Sequence, residues 1–343
     1  MKRKFLTIFS LALAGVALAS SFASSQTITL RLNHQTPATP VGAQIDQWFA
    51  DEVAKRTNGR VVIKIFWAEA LGKAKEMLPL MRQGAIDMAG LSPAYYPADL
   101  PFFTAPNSLP MAMDGTTQAQ VIMHTLLEKV PAFAEEAKRN NVRPIFFHVL
   151  NPYYLLCKHP VRTLDDLKGK KMRTWGEDMP RLAQAAGAVP VTLFLPELYE
   201  NLQRGVIDCA PFSVDFVVSY KLHEVAKYLT QVVTWQGPTH ALWINLDKWN
   251  SLPPDAQRIM LDVAEEAKKK DLEKLAEAEK TARTAMAAAG VEFINFPESE
   301  RQKWVAASPD FFTDWVAKME KLGKGEAARQ TVALWKELRA KYR

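Results

Sequence analysis

Arg173 stands in the middle of a short run, Lys170 to Trp175, that alternates as a strand, with Lys171, Arg173 and Trp175 on one face and Met172 and Thr174 on the other. A guanidinium set between Met172 and Trp175 is costly to bury without a planar anion, and its two parallel donors match the two oxygens of a carboxylate. An internal salt bridge or a solvated strand edge would account for the same residue. The remaining reactive residues are less organised. The six histidines, His34, His124, His148, His159, His223 and His240, include no two at zinc-ligand spacing. Gly72-Lys73 lacks the earlier glycine and the following Ser or Thr of a phosphate loop, and no dinucleotide fingerprint occurs. Neither Gly-x-Ser-x-Gly nor His-Glu-x-x-His is present. The sequence thus contains no positive sign of an enzyme, a cofactor or a metal, although a catalytic triad dispersed along the chain would leave no such trace. The 2 cysteines, Cys157 and Cys209, are too few for a disulfide framework or a cysteine zinc cluster. Outside a reducing compartment they are free to pair, and as strand residues they equally suit the role of small buried hydrophobes.

The elements that must position these residues alternate between strand and helix. Ile28 to Leu32 alternates as a strand and runs into the polar bend Asn33 to Pro37; Val41, Ile45, Trp48, Phe49 and Val53 then recur at helical spacing, and Asn58-Gly59 closes that helix. A strand at 61–66, a helix at about 74–83, a buried strand at 86–91 and a strand at 144–148 follow. The order argues for an α/β layer architecture with mostly parallel strands. Met81 to Ala89 (MRQGAIDMA) lines up with Leu202 to Ala210 (LQRGVIDCA), each after a helix and a Val-rich strand, which reads as two lobes built alike. In each copy Gly ends the helix and Asp opens the returning strand. Asn151 to Lys158 reads as the strand entering the second lobe, and Thr163 caps a short helix that stops at Gly169. From Pro254 to Ala289 a pattern rich in Ala, Lys and Glu continues without an internal Gly and with Pro only at its start. At 1.5 Å per residue it extends on the order of 50 Å, longer than one small lobe, so it either braces two lobes or forms a dimer seam. A last strand is expected at 291–296, followed by a basic helical tail.

With 343 residues, 48% hydrophobic and 23% charged, the chain has the composition of a folded protein of about two domains. Lys2, Arg3 and Lys4 precede an uncharged apolar run from Phe5 to Ala19 and then small residues, the form of a secretory signal peptide, expected over 1–25. The run is short of the roughly 20 residues that span a bilayer. Removing the three leading cations leaves 40 basic against 37 acidic residues, a charge of +3 instead of +6, with no dense basic stripe, so nucleic acid is not expected as a partner.

The run Thr163 to Arg173 (TLDDLKGKKMR), followed by Leu195 to Asp208 (LPELYENLQRGVID), resembles the extracytoplasmic solute-binding subunits of tripartite ATP-independent periplasmic (TRAP) transporters, the dicarboxylate-binding family. Phe49 to Val53 with Asn58-Gly59, the turn Gln83 to Asp87, and Trp249 to Pro253 extend the resemblance over nearly the whole mature chain. It implies a two-lobed α/β periplasmic binding protein with a long helix bracing both lobes, closing over an organic acid that it hands to integral-membrane permease subunits. Lobe 1 is then expected over 26–150 and about 238–270, and lobe 2 over 151–237 and about 271–320. The helix at 254–289 spans both, and 321–343 forms a C-terminal helical tail. The family's carboxylate-clamping arginine falls on Arg173 and its ligand-packing aromatic on Phe194. Gln35 with His34, and Ser92, would supply polar contacts from the first lobe.

The chain departs from the family's dicarboxylate and sugar-acid patterns at two places. Tyr153 stands where sialic-acid binders carry a second arginine, and Phe212, beside Ser213, where an Asn is frequent. Those replacements favour a monocarboxylate with an apolar, aromatic or hydroxylated body over a dicarboxylate. Trp175, Tyr95, Tyr96, Tyr154 and Trp243 would add to an aromatic wall, and Lys158 or His240 would supply a missing donor. The rival from another class is an extracytoplasmic sensor or adaptor that contacts another protein through the long helix. A ligand-dependent rise in melting temperature separates the two.

Overall fold

The computed structural model describes residues 27–342; the expected signal peptide lies outside them. The first sheet grows from β1 (Ile28–His34), whose alternating Leu30 and Leu32 are wholly buried, α1 (Val41–Arg56), β2 (Val61–Phe66), α2 (Met77–Arg82) and β3 (Met88–Leu91). Three helices follow, α3 (Pro101–Ser108), α4 (Thr116–Lys129) and α5 (Pro131–Arg139), before β4 (Val142–Val149). The chain then builds the second sheet from β5 (Tyr153–Cys157), β6 (Lys171–Thr174), α6 (Met179–Ala185), β7 (Val189–Thr192), α7 (Leu198–Gln203), β8 (Cys209–Phe212), α8 (Val214–Ser219) and β9 (Tyr228–Trp235). It returns to the first sheet through β10 (Pro238–Asn245) and α9 (Leu246–Ser251). The end of the chain is α10 (Pro254–Ala288), β11 (Glu292–Ile294), α11 (Glu298–Ala307), α12 (Phe311–Lys321) and α13 (Gly325–Lys341).

The strand orders are β2-β1-β3-β10-β4 and β11-β9-β5-β8-β6-β7. In each sheet a parallel βαβ core is joined by strands of opposite direction: β10 runs antiparallel to β3 and β4, and β5 antiparallel to β8 and β9. These antiparallel members carry the chain between the lobes, from β4 to β5 at 150–152 and from β9 to β10 at 236–237. The two crossovers are hydrogen-bonded to each other, Leu150 N–H to Gly237 O at 3.2 Å and Gln236 Nε2 to Leu150 O at 2.7 Å.

The repeated Gly-x-x-Asp turn has the same structure in both lobes. Gly84 and Gly205 both take the left-handed conformation, at φ 73° and 72°, where a side chain would be strained. Asp87 Oδ2 accepts Arg31 N–H and Asp208 Oδ2 accepts Lys171 N–H, each at 2.8 Å, so each carboxylate fastens the strand it opens to its neighbour.

The long helix braces both lobes. Ala256, Met260, Val263, Ala264 and Ala267 of α10 pack into the core formed by β1, α1 and β2, while Leu275, Ala282 and Met286 join the core that contains the second sheet. Between these stretches lies Asp271, fully buried. The C-terminal helix α13 docks back on the first lobe, with Trp335 Nε1 donating to Ala112 O at 3.1 Å and Arg339 paired with Asp114 at 2.8 Å. No described helix is long and apolar enough to cross a membrane.

Candidate ligand-binding site

Strand β6 delivers Arg173 to the cleft between the sheets, where it is 2% exposed. Its Nε donates to Leu193 O at 3.3 Å, its guanidinium lies 4.3 Å from the Trp175 ring centre and 5.9 Å from that of Phe212, and its Nη1 is buried with no hydrogen-bond partner. No carboxylate among the described residues lies within ion-pair distance of it. Burial therefore pushes the guanidinium below its ordinary pKa, offset only in part by Tyr153, Tyr95 and Tyr220. An arginine stays charged under such a shift, so the cleft holds a desolvated positive charge that lacks a counter-ion. Placing an anion there relieves that cost.

Arg173 lines a cavity of about 30 Å³. From the first lobe come Gln35, Ser92, Ala94 and Tyr95; from the second come Tyr153, Arg173, Trp175 and Leu195, with Trp235 at the end of β9. Tyr153, Trp175 and Trp235 form an aromatic box, with ring centres 4.8 to 5.7 Å apart. Trp235 sits opposite Tyr153 because the two are register partners across β5 and β9. Gln35 Oε1 accepts Ser92 N–H at 2.8 Å, which leaves its amide Nε2 buried and unpartnered. Burial holds the Tyr95 hydroxyl up at about 12 and that of Tyr153 higher still, against the pull of Arg173, so both remain neutral donors and acceptors.

Of the residues singled out in the sequence, Gln35, Ser92, Tyr95, Tyr153, Arg173 and Trp175 come together on this cavity. Phe194 is at its mouth: half-buried, it packs edge-on against Tyr95 at 5.2 Å with Lys75 Nζ 4.7 Å above its ring, so a second-lobe aromatic meets two first-lobe residues. Phe212 lies one layer behind, fully buried against Tyr153, and Ser213 is buried at the start of α8; neither lines the cavity. Tyr96 is spent within the first lobe, accepting Leu78 N–H, as is Trp243, which donates to Leu91 O. Tyr154 points to the opposite face of β5, beneath Arg283, and Lys158 lies near Gly205. The residue that sequence reasoning missed is Trp235. It stands at the end of a strand with no motif around it, and only strand pairing brings it beside Tyr153.

His34 and His240 belong to a different cluster. Gln35, in the bend that follows β1, lines the cavity, while His34, the last residue of β1, faces α1. There Asp46 Oδ2 lies 2.9 Å from His34 Nε2 and 3.4 Å from His240 Nε2, and Asp46 Oδ1 lies 3.0 Å from His148 Nε2. His148 Nδ1 reaches Asp271 of α10 at 3.1 Å. Burial opposes a charge on His148, but the carboxylates of Asp46 and Asp271 outweigh it and hold the imidazolium at about 10. His240, with only Asp46 to favour its charge, is pushed by burial to about 3 and is neutral. The candidate ligand atoms of His34, Asp46 and His240 lie within 4.8 Å of one another. However, His34 Nδ1 accepts Thr36 N–H at 3.0 Å, which makes Nε2 the protonated donor to Asp46 and removes the lone pair a cation would need. The cluster is a hydrogen-bonded tie between β1, α1, β4, β10 and α10.

A two-lobed α/β molecule with an unpaired arginine in the interlobe cleft is a binding protein for organic acids. Residues 32–318 match the bacterial extracellular solute-binding proteins of family 7 (DctP), and the chain belongs to that family. It is similar to the 2,3-diketo-L-gulonate-binding periplasmic protein YiaO of Escherichia coli K12, at 31% identity over 308 residues, 86% of this chain and 88% of that one. Among solved structures it is similar to a TRAP periplasmic solute binding protein from Desulfovibrio salexigens, at 26% identity and a TM-score of 0.79, covering 92% of this chain and 96% of that one. It also shares its fold with a marine metagenome TRAP solute binding protein specific for aromatic acid ligands, at 21% identity and a TM-score of 0.81, covering 92% and 99% of the two chains. Proteins of this family bind solutes and are not enzymes.

Proposed function

We propose that this protein captures a small organic acid in the periplasm by clamping its carboxylate on Arg173, favours acids with a single carboxylate, and delivers them to the permease subunits of a TRAP transporter. The observation that carries the reading is the buried Arg173, whose Nη1 has no partner and whose charge has no counter-ion. Arg173 is also the one charged residue in the cavity lining, among the described residues. A second carboxylate would enter a box of Tyr153, Trp175 and Trp235, where an unpaired buried charge costs several kcal/mol. Three similar proteins are described with 2,3-diketo-L-gulonate, orotic acid and metahydroxyphenylacetate, each an acid with one carboxyl group. The basic-then-apolar start of the chain and the extracellular family support the location.

Titration calorimetry over a panel of mono- and dicarboxylates tests the reading. Charge-assisted pairs are worth about 1.5–3 kcal/mol, so Arg173→Ala should weaken binding roughly 10- to 150-fold. Unchanged binding by Arg173→Ala would overturn the clamp. Succinate or malate binding more tightly than every monocarboxylate tried would overturn the preference.

A further inference from the structure

Arg143 of β4 repeats, outside the cleft, the features that mark Arg173. Among the described residues these are the only two arginines with a guanidinium nitrogen that is buried and without a partner, Nη1 in Arg173 and Nε in Arg143. The Arg143 guanidinium lies 4.8 Å from the Trp249 ring centre, and burial pushes it below its ordinary pKa with no carboxylate to offset the shift. It lines an open groove of about 570 Å³, far larger than the cleft cavity and sharing no residue with it. The groove runs along the free edge of the first sheet, because β4 ends the strand order. Residues 142–147 form its floor, and α4, α5 and α10 supply its walls. Phe103 and Phe147, stacked at 5.9 Å, line it with Leu127 and Ala137 and give it an apolar bed.

The edge is ill suited to an added strand: Pro144 has no N–H to offer, and the register with β10 skips Ile145. A groove of this volume with an apolar bed and a few polar groups suits a small molecule instead. Charge sets the class of that molecule. Lys268 and Glu265 pair at 2.5 Å, which leaves Lys138 and Arg143 against Glu128, an excess of one positive charge. His124 of α4, whose buried Nε2 has no partner, adds no second cation, because burial pushes it to about 3, aided by Lys268 and His148. We propose that this groove is a second ligand site, separate from the transport cleft, that binds an apolar molecule with one carboxylate, its head on Arg143 and its carbon body on Phe103, Leu127 and Phe147. The carboxylate supplies the acceptor that Arg143 Nε lacks, and the body gains affinity in proportion to the area it removes from water. A second charge on the ligand would lie on the apolar bed without a partner.

The test is calorimetric titration of the mature protein with sodium octanoate, with octanamide as the uncharged analogue and acetate as the head without a body. Octanoate should bind about 10-fold more tightly than either. Arg143→Gln should erase its advantage over octanamide, whereas Arg173→Ala, which removes the clamp of the cleft, should preserve it. Ala134→Trp fills the groove from an exposed position of α5 and should weaken octanoate and octanamide alike. Octanoate that fails to bind the wild type, or binds it no more tightly than octanamide, overturns the inference without any variant. So does an affinity that Arg173→Ala loses and Arg143→Gln keeps, since that result places octanoate in the cleft.

Discussion

Gly90 and Gly42 show how tightly the histidine cluster is built into the first lobe. A Cβ on Gly90 would lie 2.4 Å from His34 Cδ2, and one on Gly42 would lie 2.8 Å from His240 Cε1 and 3.2 Å from His148. Both rings are held by Asp46, so neither can swing aside without breaking a buried hydrogen bond. Gly90→Ala is therefore expected to destabilise the protein by about 1–3 kcal/mol, the usual cost of overpacking, read as a lower denaturation midpoint. It should also weaken ligand binding, because Gly90 O accepts Gln35 N–H at 3.0 Å and so sets the loop that carries a cavity donor. At the same scale, Arg173→Lys should lose most of the affinity that Arg173→Ala loses, since an ammonium cannot match two carboxylate oxygens in one plane. Calorimetric titration that returns wild-type affinity for the lysine variant would show that charge alone suffices.

At the scale of elements, His148 ties β4 to both α1 and α10 through two carboxylates. Its folded pKa of about 10 exceeds its ordinary 6.5, so the stability it contributes is complete below about pH 6.5 and is lost as pH rises toward 10. His240 has the opposite sign: pushed to about 3, it contributes stability that is present above 6.5 and is lost as pH falls through the acid range. The expectation is a melting temperature that declines between pH 7 and pH 10. His148→Asn should melt lower at neutral pH, by roughly 3–5 kcal/mol of stability, because Asp46 and Asp271 lose their cation; its alkaline decline should be flatter. Calorimetric melting from pH 6 to pH 10 reads both.

The second sheet contains a covalent tie as well. Cys157 of β5 and Cys209 of β8 are register partners and form a disulfide 52 residues apart in sequence. Closing a loop of that length contributes about 4 kcal/mol in the chain-entropy account. Thiol counting on denatured, unreduced protein should find none. Both cysteines could be placed in strands from the sequence, but whether they face each other depends on register, which no local pattern specifies. The same contrast holds elsewhere. The strand bearing Arg173, the α10 brace and the repeated Gly-x-x-Asp turn are legible because periodicity and turn residues act locally. The strands β9 and β10 are not, since Tyr228 to Trp235 has no clean alternation and only Gln236-Gly237 before the next strand. Trp235 went unseen with them. His34 illustrates the reverse error: it adjoins Gln35 in sequence, yet it ends β1 facing Asp46 of α1 while the bend that follows carries Gln35 to the cavity.

The whole molecule must move to bind. A cavity of about 30 Å³ holds a water or two and not an organic acid, while Tyr95 and Phe194 meet across its mouth. Ligand can enter only if the lobes part and then close again, and the pivots are the few connections between them: the crossovers at 150–152 and 236–237, and α10 near Asp271. The crossovers are bonded together through Gln236, Leu150 and Gly237, so they bend as a unit. Gly237 is the close contact in that unit, because a Cβ there would meet the Pro106 carbonyl oxygen of α3 at 2.6 Å and the Trp235 ring at 3.1 Å. Backbone cannot swing away as a side chain can, so Gly237→Ala should disfavour the closed arrangement. If the usual overpacking cost of about 1–3 kcal/mol falls on the closed form, affinity drops roughly 5- to 150-fold. Unlike loss of Arg173, this change should also reduce the ligand-induced compaction seen by small-angle X-ray scattering at saturating ligand. A Gly237→Ala protein that binds and compacts as the wild type does would place the pivot elsewhere, leaving α10 near Asp271 as the next place to measure.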